Sequence, residues 1–163
     1  MKRLALISAI TGLTAAIALV SPVSAANPFV GDWTLNTAKS KVSDPTLMPE
    51  DANLSIKEAG AGKFRSVSDA NLRGNKVHGE TVFAIDGNDY APTSNSAASN
   101  GPRMTESSER ISATAFRTTY KVDGKVVATV LNEISPDTNT MTQTVTGVGE
   151  ASGASNVLVY ERK

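Results

Sequence analysis

The segment TAFRTTYKV, followed by Asp123-Gly124 and then KVVATVL, constrains this chain more than any other stretch. Side chains of an extended strand alternate between two faces. Phe116, Thr118, Tyr120 and Val122 therefore fall on one side, and Arg117, Thr119 and Lys121 on the other. An Asp-Gly pair between two such runs predicts a two-residue type I′ turn, whose twist matches that of the strands it joins. Residues 114–131 thus specify an antiparallel hairpin.

The same alternation recurs. Short runs rich in Val, Ile, Thr, Phe and Tyr predict strands near residues 32–36, 53–58, 63–71, 76–85, 88–91, 103–111, 139–147 and 156–162. Gly60-Ala61-Gly62, Gly74-Asn75, Asp86-Gly87, Asn100-Gly101 and Ser135-Pro136-Asp137 punctuate them. Long helical periodicity is absent after the first residues. The expectation is an all-β fold, a single antiparallel meander of about eight to ten strands, closed as a barrel or stacked as a sandwich. Residues 43–51 hold two prolines and read as an extended loop, and residues 93–102, TSNSAASNGP, as a mobile one.

The chain begins with a basic pair, Lys2 and Arg3, then an uncharged and largely apolar run over residues 4–20, then Pro22 and small residues. That layout predicts a secretory signal peptide, residues 1–25, cut after Ala25 or Ala26. Ser8, Thr11, Gly12 and Thr14 break the run, which falls short of the roughly 20 apolar residues of a spanning helix. No integral membrane association is expected after cleavage. Removing 25 of 163 residues leaves 138, which suits one barrel domain, residues 26–163. Two of the sixteen basic side chains leave with the leader and all sixteen acidic ones stay, a net of −2. This charge excludes a nucleic-acid partner. The chain has no cysteine, which removes thiol catalysis, thiolate metal sites and disulfides.

Phe29-Val30-Gly31-Asp32-Trp33-Thr34-Leu35, which carries the only tryptophan, resembles the opening of the calycin superfamily, the lipocalins and fatty-acid-binding proteins, where a Gly-x-Trp motif begins the first strand. Val159-Tyr160-Glu161-Arg162 is similar to the last strand of fatty-acid-binding proteins. The whole most resembles small exported bacterial proteins described as lipocalin-like. The resemblance implies a barrel in which Gly31, Trp33, Tyr160 and Arg162 close one end, with Arg162 packed across the indole. First and last strands must also pair if no sheet edge is to stay open. Two departures stand out. Leu158 occupies the place of the arginine that helps hold a ligand's carboxylate in fatty-acid-binding proteins. Residues 38–51, with Pro45 and Pro49, lack the helical periodicity of their lid. A ligand here is expected to be neutral, or anchored differently.

An inventory argues against an enzyme. The one histidine, His78, shares a strand face with Lys76 and Glu80 and reads as solvated; no Gly-x-Ser-x-Gly elbow accompanies it, and several-histidine metal sites are impossible. Asp86 and Asp89 in DGND fit turn chemistry better than a calcium loop. Thr140, Thr142, Thr144 and Thr146 share one face of a single strand, as threonine commonly does on exposed sheet. No catalytic residue, metal or cofactor is expected. By alternation Phe83, Phe116 and Tyr120 point inward among Gly79, Thr81, Thr118 and Gln143, and Leu158 joins the pocket candidates. Such a wall fits a pocket for one small apolar ligand, or a core packed solid by alternating large and small side chains. The sequence therefore predicts a monomeric, periplasmic or secreted, non-enzymatic binding module for a small, largely apolar ligand. The alternative is a structural or interaction protein with a filled barrel.

Overall fold

A computed structural model describes residues 27–93, 103–148 and 155–163. The leader over residues 1–25 and the loop after Thr93 lie outside the described residues. Ten strands follow one another: β1 (Gly31–Leu35), β2 (Asp51–Glu58), β3 (Lys63–Leu72), β4 (Asn75–Ala84), β5 (Asp89–Tyr90), β6 (Met104–Ser112), β7 (Ala115–Val122), β8 (Lys125–Ile134), β9 (Thr140–Gly147) and β10 (Ser155–Arg162). They form one antiparallel sheet in the order β4-β3-β2-β1-β10-β9-β8-β7-β6-β5. Pairing of β1 with β10 sets Trp33 opposite Arg162 and Leu35 opposite Tyr160, so the meander curls round on itself. At the remaining seam, between β4 and β5, a bridge joins Thr81 to Pro92 and the Thr93 amide donates to the Glu80 carbonyl at 2.7 Å. The result is a nearly closed barrel.

The hairpins show how sequence sets register. Val122 faces Lys125 across Asp123 (φ 49°) and Gly124 (φ 77°), and two positive φ values in succession are the signature of the type I′ turn. The β3–β4 turn is centred one residue earlier than its Gly74-Asn75 punctuation suggests. Arg73 (φ 54°) and Gly74 (φ 74°) make it, and Asn75 already pairs with Leu72. Arg73 is held in this conformation as its guanidinium Nε donates to the Thr46 carbonyl at 2.9 Å.

After β1 the chain forms no helical lid. The Asn36 amide donates to the Val159 carbonyl and Lys41 bridges Val157, so the segment runs along β10 before a three-residue 3-10 turn at Pro45–Leu47. Asp44 caps that turn through the Thr46 amide. Among the described residues no helix is long and apolar enough to cross a membrane.

Candidate functional site: the barrel interior

Register divides the inner face into two halves. At the end where β1 begins, Trp33 is 0% exposed, and its indole N–H donates to the Phe29 carbonyl at 3.1 Å. The Arg162 guanidinium lies 4.1 Å from the indole centroid, a cation–π distance. It is locked there by donating to the carbonyls of Val30 (2.8 Å), Pro28 (2.7 Å) and Thr138 (2.8 Å). Gly31 makes room for it. A Cβ at Gly31 would lie 2.2 Å from Arg162 Nη1, and its φ is 153°. Gly31→Ala should therefore expel the guanidinium and cost about 1 to 3 kcal/mol, measurable by urea denaturation, with Arg162→Ala largely absorbing the loss in a double-mutant cycle.

Phe83 and Phe116, two pocket candidates, belong to this same end. Phe29 meets Phe116 edge-on at 4.6 Å between centroids, and Phe83 lies 6.3 Å from Phe116. The space left among Phe29, Ile56, Phe64, Phe83, Ile85 and Phe116 admits no water. Leu35, Leu54, Ile134, Met141 and Tyr160 complete this core. Tyr160 thus packs within it, one strand over from Leu35.

The middle of the barrel is different. Ser108 and Thr118, opposite one another on β6 and β7, are buried and share a hydrogen bond of 3.0 Å. Asn132 of β8 directs its Nδ2 to the Thr118 hydroxyl and to the carbonyls of Phe116 and Val130, at 3.4–3.5 Å. Gln143 of β9 donates to Asn132 Oδ1 at 2.9 Å. This polar belt crosses four strands. One register step toward the mouth, Glu106 of β6 sits between Tyr90 and Tyr120, its pairing partners on β5 and β7. Burial pushes the Glu106 carboxyl up to about 7, although the hydrogen bond donated by the Tyr120 hydroxyl pulls the other way. Burial, and next the nearby Glu106, raise Tyr120 above the ordinary phenol range. Both side chains are half-buried. Leu158 faces the lumen opposite Gln143, half-buried against the core.

Other sequence candidates lie elsewhere. His78 is exposed on the outer face, its Nδ1 2.7 Å from Asp69 Oδ1. Asp86 accepts from the Asn88 amide and the Tyr90 hydroxyl, and Asp89 pairs with Lys121 at 2.6 Å, so both carboxylates serve the turn and the wall. The threonines of β9 also face outward, with Thr142 and Thr144 beside Val159 and Val157. Sequence reasoning missed Glu106. Its inward parity is set by register with Tyr120, which the Arg110–Ser112 irregularity near the β6–β7 turn hides from a linear reading.

No protein-family model matches the chain, and no curated protein does. Solved structures do. A fatty-acid-binding protein of Schistosoma mansoni in complex with arachidonic acid superposes with a TM-score of 0.56 at 15% identity, covering 83% of this chain and 96% of that one. Fatty-acid-binding protein 1 of Echinococcus granulosus gives 0.54 at 14% identity, covering 83% and 97%. Zebrafish ileal bile-acid-binding protein with cholic acid gives 0.54 at 13% identity, covering 83% and 99%. The chain has the fold of the fatty-acid-binding proteins. Within that fold its Gly31-Asp32-Trp33 strand closes one end, and its inner face carries Leu158 and Glu106 near the middle.

Proposed function

We propose that this chain is a non-enzymatic, monomeric binding module for one small, largely apolar ligand, exported to the periplasm or the cell exterior. The carrying observation is the contrast along one inner face. Phe83 and Thr81 of β4 are buried, whereas Val77, on the same face of β4 toward the mouth, is exposed, as is Ser68, the pairing partner of Leu54. An end plug with inner-face side chains left exposed toward the other end suits a container better than a solid core. Structural neighbours were solved with arachidonic acid and cholic acid, both small and largely apolar. Export rests on the apolar run behind Lys2 and Arg3. The non-enzymatic reading rests on the single histidine, which sits outside the lumen.

Leu158 in place of a carboxylate-holding arginine should make a neutral ligand preferable, since an unpaired carboxylate in the lumen carries a penalty of several kcal/mol. Titration calorimetry with a long-chain alcohol and its matching acid at pH 7 should show the alcohol binding more tightly. Leu158→Arg should narrow or reverse that order. Tighter binding of the acid by the unaltered protein would mean that another cation reaches the lumen. Binding of neither would favour the filled barrel acting through its surface.

A further inference from the structure

We propose that Glu106 and Tyr120 form the polar anchor of the lumen, an acceptor site that takes a ligand through a protonated amine, so that the preferred class is a cationic amphiphile. This rests on the binding reading above and gives its ligand a chemistry opposite to that of a fatty acid. Three observations converge on it. First, the belt beneath the pair is bonded within itself: Asn132 Nδ2 serves Thr118 and two carbonyls, and Gln143 Nε2 gives one of its N–H groups to Asn132. Above it Glu106, set opposite Tyr120, adds acceptor capacity, because an ionised carboxylate accepting one bond from a phenol retains room for others. Second, the ion pairs among the described residues that involve Lys39, Arg65, His78 and Lys121 engage Glu161, Glu80, Asp69 and Asp89, all on the outer face. None brings a cation to Glu106. Third, the apolar surface lies around the pair: Leu158 and Val145 line the lumen, and Val77 and Met104 stand exposed on the same face toward the mouth. An ammonium at Glu106 can thus trail an alkyl chain along apolar wall.

The phenols nearest Glu106 are Tyr90 on β5, Tyr120 on β7 and Tyr160 on β10, all raised above the ordinary phenol range; of the cations, Lys63 lies over the Tyr90 ring and Arg110, on its own strand, over the Phe29 ring at the closed end. The three phenols, raised further above neutrality, keep their protons through pH 7. Loss of amine binding on acidification through pH 7 would therefore report Glu106 itself.

The test is calorimetric titration of the full chain with decylamine, decanol and decanoic acid at pH 8, on the unaltered protein and on Glu106→Gln. The amine should bind about tenfold or more tightly than the alcohol, the size of a charge-assisted hydrogen bond, and the acid least. Glu106→Gln should abolish the amine's advantage over the alcohol. Repeating the amine titration at pH 5.5 on the unaltered protein should reproduce the effect of the substitution. Alcohol binding with no preference for the amine, or a preference that survives Glu106→Gln, would overturn the anchor while sparing the binding function. Binding of none of the three would overturn both.

Discussion

Trp33→Ala should lower stability by about 3 to 5 kcal/mol, the range for deleting a large buried aromatic, whereas His78→Ala should stay within about 0.5 kcal/mol. The tryptophan is fully buried, stands between β10 and β2 opposite Arg162 and Leu54, and anchors the chain entering β1 through its bond to the Phe29 carbonyl. Its removal leaves a cavity at the end of the barrel and strips the Arg162 guanidinium of the ring beneath it. The carbonyls of Pro28, Val30 and Thr138 would still hold that guanidinium, so the change should register as lost packing without global rearrangement. The His78–Asp69 pair, by contrast, is more than half exposed on both sides, where ion pairs contribute little. Guanidinium denaturation of the two variants, read by circular dichroism because Trp33→Ala removes the only indole, makes the comparison. The opposite order would mean that the faces of β1 and β4 are exchanged.

The strands were legible because alternation and turn chemistry are local. All ten appear where short Val-, Ile-, Thr- and aromatic-rich runs predict them, and the Asp123-Gly124 turn follows directly from the left-handed tolerance of those residues. Where the reading fell short, non-local pairing was the cause. Strand β8 continues to Ile134 past Asn132, a residue with poor strand propensity, because Gln143 and Thr118 across the ladder satisfy its amide. Phe83 and Phe116 do point inward, but alternation assigns a face and says nothing of height along the barrel. Their height follows from the stagger of neighbouring strands, which sets Phe116 against Phe29 and Phe83 beside Phe116 in the packed end. Glu106 escaped notice for the same reason. A glutamate amid Thr105, Ser107 and Ser108 reads as a solvated strand until its register with Tyr120 places it inside.

Glu106→Gln should make the protein more stable at pH 8 to 9 by about 2 to 3 kcal/mol, and leave it within about 0.5 kcal/mol of the unaltered protein at pH 4. Burial raises the carboxyl from its ordinary 4.5 to about 7 in the folded state, so the fold favours the protonated form. Below about pH 4.5 folded and unfolded chains both carry that proton, and the neutral carboxyl destabilises nothing. As pH rises through the interval up to about 7 the unfolded chain ionises freely while the folded one resists, and that stability is lost. Asp44, Glu80, Asp86, Asp137 and Glu161 work in the opposite sense, their carboxyls held low chiefly by hydrogen bonds, so their stabilisation fades as pH falls. They are common to both proteins and cancel in the difference. Thermal or urea unfolding from pH 4 to 9 should therefore give two curves that coincide in acid and diverge toward neutrality. Parallel curves would place Glu106 in open water and remove the anchor from the lumen. A charge retained inside a barrel at a cost to the fold is accounted for if the cost is recovered on binding: decylamine at a hundredfold excess over its Kd should raise the stability of the unaltered protein at pH 8 by about 2.7 kcal/mol through mass action, and should do much less for Glu106→Gln at the same concentration.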